Sequence, residues 1–130
     1  MTHLVKEFCI EIENTPGAIA NVCTALGTAG INLQSIASEH IGGQGFLRII
    51  PEDSKATEEM LNRKDFMYSE NTVIVKAFED KPNQIADAVE KLGAEGININ
   101  ALYLLQSKNG KAQVGIVTDD PQKASRLLRA

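Results

Sequence analysis

In a chain of 130 residues, chemistry must come from a few reactive side chains, and these are scattered. His3 lies near the start and His40 follows Glu39 beside "IGGQG"; both read as surface polar residues. Cys9 and Cys23 lack CxxC spacing and other metal-ligand company, so they read as packed thiols. Cys23 falls on the apolar stripe of a predicted helix with no histidine in register, which argues against an activated thiolate. The glycine-rich "GGQG" precedes a strand, whereas a phosphate-cradling loop follows a strand and opens a helix. The acidic runs "PEDS" and "TDDP" read as helix caps with too few oxygen donors for a metal. No catalytic residue, no metal and no cofactor is expected.

What remains is the turn "ENTPGA", Glu13 to Ala18. It joins a predicted strand to a predicted helix, where the backbone N–H groups of Gly17, Ala18 and Ile19 lack intrahelical acceptors and favour an anion such as a carboxylate. Gly17 has no Cβ to block approach, Thr15 flanks it, and the Asn14 amide both donates and accepts, matching the ammonium and carboxylate of a zwitterion. Asn32 is polar between Ile31 and Leu33, where packing alone would prefer an apolar side chain. The same residues also suffice to shape a turn and cap a helix, and residue chemistry alone leaves both readings open.

The elements that position this turn occur twice. Pro16 and Pro82 are 66 positions apart, and at that offset Ile19/Ile85, Ala20/Ala86, Leu26/Leu92, Gly27/Gly93, Gly30/Gly96, Ile31/Ile97 and Asn32/Asn98 coincide: with the prolines, 8 identities in the 21 positions from Pro16 to Ile36. Background usage gives roughly one or two. The chain is a duplication, with modules over 1–70 and 71–130. In the first, Phe8 to Ile12 alternates as a half-buried strand. Pro16 suits a first helical position, and Ile19, Val22, Cys23 and Leu26 make a buried stripe. Ile31 to Glu39, Phe46 to Ile50 and "FMYS" (Phe66 to Ser69) read as further strands, with a helix over Ser54 to Arg63 starting on "PEDS". The order is βαββαβ, an α+β ferredoxin-like arrangement with two helices on one face of an antiparallel sheet. The second copy repeats it over Thr72–Phe78, Pro82–Glu95, Ile97–Gln106, Ala112–Thr118 and Pro121–Arg129, without a C-terminal strand of its own. Lys76 falls where Ile10 points inward, so this strand carries a bulge or faces two ways.

Composition narrows the partners. Forty-three per cent hydrophobic residues is enough for a core, and 13 basic against 17 acidic residues give −4, with no basic stripe for nucleic acid. No apolar run approaches the ~20 residues of a membrane span, and the start is no signal peptide, so a cytoplasmic protein is expected.

The stretch "PGAIANVCTALGTAGINLQSI" closely resembles the signature of the ACT domain, and the resemblance covers both copies. It implies ferredoxin-like sensor modules, mostly of amino acids, whose ligands lie between two modules and touch the Pro-Gly turn and the Asn that opens the second strand. Asn14, Gly17 and Asn32 match those positions; some amino-acid-binding members have a histidine where this chain has Ile12. The second copy departs further, with Asp80 for Asn14 and Asn83 for Gly17, so Asp80, Asn83, Gln84 and Asn98 form an expected weaker site. The expected function is a non-enzymatic regulator that binds a small amino acid or related carboxylate and acts on a metabolic enzyme or regulator. A ligand-free interaction module that assembles with such a partner is the alternative, and a small enzyme on the same scaffold the third. The sheet face carrying Cys9, Glu11, Val73, Val75 and Ala77 calls for cover, so at least a homodimer is expected. At the offset of 66, Met1 to Leu4 matches Met67 to Glu70, so the N-terminal residues are expected to pair on the sheet of the second copy.

Overall fold

The computed structural model describes residues 2–129. Among them are six strands, β1 (Thr2–Ile12), β2 (Leu33–Ile41), β3 (Gln44–Pro51), β4 (Tyr68–Glu79), β5 (Ile99–Lys108) and β6 (Lys111–Thr118), and four helices, α1 (Ala18–Thr28), α2 (Ser54–Arg63), α3 (Gln84–Ala94) and α4 (Pro121–Arg129). The bounds 1–70 and 71–130 describe the repeat in sequence. The compact units differ from them: one holds residues 6–71, the other residues 2–5 together with residues 72–129.

In the first unit the strands lie in the order β2-β3-β1-β4. β3 runs antiparallel to β1, from Phe8↔Ile49 to Ile12↔Gly45, and to β2. The period-two pattern of β1 sends Phe8, Ile10 and Ile12 to one face, where they meet Val22 and Leu26 of α1, Leu47 and Ile49 of β3, and Met60 and Leu61 of α2. Each such burial contributes roughly 1.5–3 kcal/mol. The stripe of α1 is rotated from the one expected. Val22 and Leu26 are buried with Ala18 and Ala25 packed beside them, whereas Ile19 is 39% exposed and Cys23 is exposed rather than packed. Val22 and Leu26 face the sheet with the two alanines, and Ile19 and Cys23 turn outward. Asp53 caps α2, its carboxylate accepting the Ala56 N–H at 3.0 Å.

The opposite face of β1 carries an ion cluster. Glu7 is buried and accepts from Arg48 at 2.9 Å and from Asn71 at 3.1 Å; Arg48 also reaches Glu39 at 3.3 Å. Hydrogen bonding to Glu7, ahead of the opposing effect of burial, raises the Arg48 pKa and holds the guanidinium charged.

In the second unit the order is β5-β6-β4-β1, with β6 antiparallel to β4 and β5. Residues 2–5 of β1 therefore stand with the second copy, as pseudo-symmetry requires; Met1 of the expected segment lies outside the described residues. The two strands expected at Phe66–Ser69 and Thr72–Phe78 are one continuous β4. Its pairing with β6 is unbroken from Ile74↔Ile116 to Glu79↔Lys111, and the register shifts fall in β5 instead. Lys76 thus points inward with no bulge. It is half-buried, its ammonium sits 5.4 Å from the Phe78 ring centroid, and it donates to the carbonyl of Leu128 in the last turn of α4, where cations are favoured. In the first unit the carbonyl at the matching position, Leu61, accepts the backbone N–H of Phe66 at 2.9 Å. One helix end is closed by backbone, the other by a lysine. On the other face Val73 and Val75 are buried, and a Cβ at Gly115 would come within 2.8 Å of the Tyr103 ring and 3.1 Å of Val73.

Candidate functional site

The turn after β1 is shaped by Gly17, which adopts φ 87°, ψ −8° immediately before α1, a left-handed conformation that costs glycine nothing. The Ala18 N–H bonds back to the Thr15 carbonyl at 3.2 Å and the Asn21 N–H to the Gly17 carbonyl at 3.0 Å. The Ala18 donor is therefore already engaged within the turn. No side chain caps the helix, so its N-terminal charge is not spent on a local carboxylate or hydroxyl. A Cβ on Gly17 would meet nothing within 4 Å: the space in front of the turn is open.

Below the turn lies a cleft of about 610 Å³ with Thr15, Pro16, Gly17, Ala18 and Asn21 on one side and Phe66 and Met67 on another. Glu11, Glu13 and Asp65 also line it, and no lysine or arginine does. Sequence reasoning missed these carboxylates as a group. Glu11 reads as an ordinary outward strand residue, and Asp65 arrives from the far end of α2, where it takes a positive φ of 59°.

The other expected ligand residues are dispersed. Asn14 lines a neighbouring cleft of about 530 Å³ with Gly43 of the β2–β3 turn and Gln44 at the start of β3, sharing Glu11, Ile12, Glu13, Thr15 and Met67 with the first. Ile19 lines neither cleft. Asn32 stands at the opposite end of the sheet: Leu33 pairs with Pro51 at the last residue of β3, whereas Ile12 pairs with Gly45 near its start, about 20 Å away along the strand. The Asn32 carbonyl accepts the Glu52 N–H at 2.9 Å, and its side chain is exposed. Within one unit the turn and Asn32 do not converge.

In the second unit Asn83 takes the place of Gly17 with φ 74°, ψ −10°, and again no side chain caps the helix. Asparagine tolerates the left-handed region better than most residues, so the turn survives the substitution. Asp80 is exposed, bonds through its N–H to the Gly110 carbonyl at 2.9 Å, and does not line the cleft below. Gln84 does line it. The Asn98 side chain is engaged by Asn100 at 2.8 Å, its N–H by the Asp119 carboxylate at 3.1 Å. This cleft, about 390 Å³, is bordered by Lys76, Lys91 and Lys111 with Glu79 and Asp87.

Candidates for other chemistry are thin. His3 and His40 are exposed. Burial pushes the Cys9 thiol above its ordinary value, with Arg48 pulling the other way by less, the reverse of what a nucleophilic thiolate needs. No group of three or more His, Cys, Asp or Glu among the described residues could hold a metal ion, and no helix among them is long and apolar enough to cross a membrane.

Comparison with known proteins follows the fold. The family model of an ACT domain pair matches residues 1–129. The solved structure of protein BT0572 from Bacteroides thetaiotaomicron is similar at 25% identity and a TM-score of 0.88, covering 98% of this chain and 88% of that one. Aspartokinase alpha and beta subunits superpose with a TM-score of 0.65 at 19% identity, covering 98% and 93%. The ligand-free regulatory subunit of aspartate kinase from Thermus thermophilus gives 0.62 at 16%, covering 98% and 94%; these last two likenesses are likenesses of fold. No curated protein matches the sequence.

Proposed function

The chain belongs to the ACT domain family, and on that premise we propose that it is a non-enzymatic regulatory protein of the cytoplasm that binds a small amino acid or related carboxylate at the Gly17 turn. The observation that carries this reading is the pairing of an uncapped helix N-terminus with an acidic cleft. A free amino acid is a zwitterion; its carboxylate suits the backbone N–H of Gly17 at the helix N-terminus, and its ammonium suits Glu11, Glu13 or Asp65. A simple carboxylate would meet repulsion from the same wall.

Because Asn32 stands at the far end of the sheet, its participation requires a module of a second copy, and we place the ligand there, in at least a homodimer burying upwards of ~1,000 Å². Exposed apolar side chains on the outermost strands, Ile36 and Ile41 of β2 and Leu102 and Leu104 of β5, are the surface that favours assembly, with a second copy or with a metabolic enzyme or regulator. The likeness of fold to a regulatory subunit of aspartate kinase fits this role. A thermal-shift screen of the twenty amino acids is the test: one or a few should raise Tm in a saturable way. A flat response across the panel, together with unchanged binding of a partner enzyme, would replace the sensor by a ligand-free assembly module.

A further inference from the structure

The clefts below the two turns occupy equivalent places in the repeat. Glu11, Ile12, Glu13, Ala18, Asn21 and Val22 of the first correspond at the offset of 66 to Ala77, Phe78, Glu79, Gln84, Asp87 and Ala88 of the second, and all twelve line their clefts. Their charges do not correspond. The first is lined by three carboxylates and no base, a formal −3; the second by three lysines and two carboxylates, a formal +1. The lysines replace Ile10, Ala25 and, at the offset of 67 that follows the hairpin, Gln44. They reach the cleft from three elements: Lys76 from β4, Lys91 from α3 and Lys111 from β6.

The acids in this cleft do not consume the bases one for one. Glu79 is shared between Lys81 at 3.1 Å and Lys111 at 3.9 Å, both pairs well exposed and therefore weak. Lys76 commits one N–H to the Leu128 carbonyl; an ammonium has three. It is half-buried over the Phe78 ring, so its field is screened less than that of a surface lysine. Asp87 stands one turn before Lys91 on α3.

We propose that the cleft of the second unit is a binding site for a small oxyanion bearing two negative charges, held by Lys76, Lys91 and Lys111. It is independent of the amino-acid reading of the first turn. Two sources share this chemistry, dicarboxylates and inorganic phosphate, and the cleft volume of about 390 Å³ admits either.

Titration calorimetry on the full chain at low ionic strength, with succinate in one arm and inorganic phosphate in the other, tests the proposal. Saturable binding near one per chain is expected in at least one arm, and which arm identifies the source. The double variant Lys91→Ala, Lys111→Ala, whose side chains are exposed, should weaken binding at least about tenfold, while Lys55→Ala in the other unit should leave it within about twofold. Lys76→Met should weaken it too, with circular dichroism verifying the fold. No saturable heat in either arm, or equal losses in the double variant and in Lys55→Ala, overturns the proposal.

Discussion

Gly17 and Asn83 hold almost the same backbone, φ 87° against 74° and ψ −8° against −10°, yet the clefts beneath them carry opposite charge. A duplication preserves what the chain needs to turn, because a strand that must enter a helix has few ways to do so. It does not preserve the side chains that face the opening. The repeat is therefore a guide to shape, and the ligand chemistry of each copy has to be read from residues that differ between them.

Exchanging the residues that differ is the strongest way to break this comparison. Ile10→Lys should destabilise the chain by about 3–5 kcal/mol in chemical denaturation, because Ile10 is fully buried among apolar side chains and the carbonyl matching that of Leu128, Leu61, already accepts the Phe66 N–H. The reverse change, Lys76→Ile, should cost no more than about 1–2 kcal/mol, since apolar burial offsets much of the lost hydrogen bond. Equal costs would mean that the two helix ends are interchangeable after all. A milder exchange sharpens the turns. Gly17→Asn keeps the left-handed backbone, as Asn83 demonstrates, and adds a side chain in front of the helix. It and Asn32→Ala should each weaken amino-acid binding about tenfold, roughly 1.4 kcal/mol, with Asn83→Gly and Asn98→Ala within about threefold; calorimetry giving the larger loss from the second pair would reverse the assignment.

The smallest effect separates the two thiols. Cys9 is half-buried with a raised pKa, whereas Cys23 is exposed, so at pH 8 a small alkylating reagent should modify Cys23 about three- to tenfold faster. The sign has a stability counterpart. An acid whose folded pKa exceeds its unfolded value keeps its proton longer in the native state, so the contribution of Cys9 is intact below its ordinary 9.0 and is lost as pH rises past it. Equal alkylation rates would count against the burial of Cys9.

Local pattern carried much of the fold. The spans of α2 and α4 match the sequence reading residue for residue, because Asp53 and Asp120 mark their starts and the apolar period continues to the last turn. Where one strand serves two modules, pattern cannot tell a single β4 from two strands meeting end to end, since the alternation is alike in both. Lys76 is opaque for a related reason: nothing near it in sequence announces that a carbonyl 52 positions later will receive its ammonium. The site was legible as a turn and illegible as a cleft. Asp65 and Lys111 enter from distant segments, and the placing of Asn32 at the far end of the sheet follows only from strand pairing.

The composition of the second unit has a consequence in time. Residues 6–71 are contiguous, so that unit can form as soon as its own segment has left the ribosome. The other joins residues 2–5 to residues 72–129, and the long loop between them is already closed once Glu7 meets Asn71 within residues 6–71. The entropy of that closure grows only slowly with length, and it is met once for both units. What is left for the second unit is to extend β1 and β4 past the Glu7–Asn71 pair, a local step rather than a search of its own.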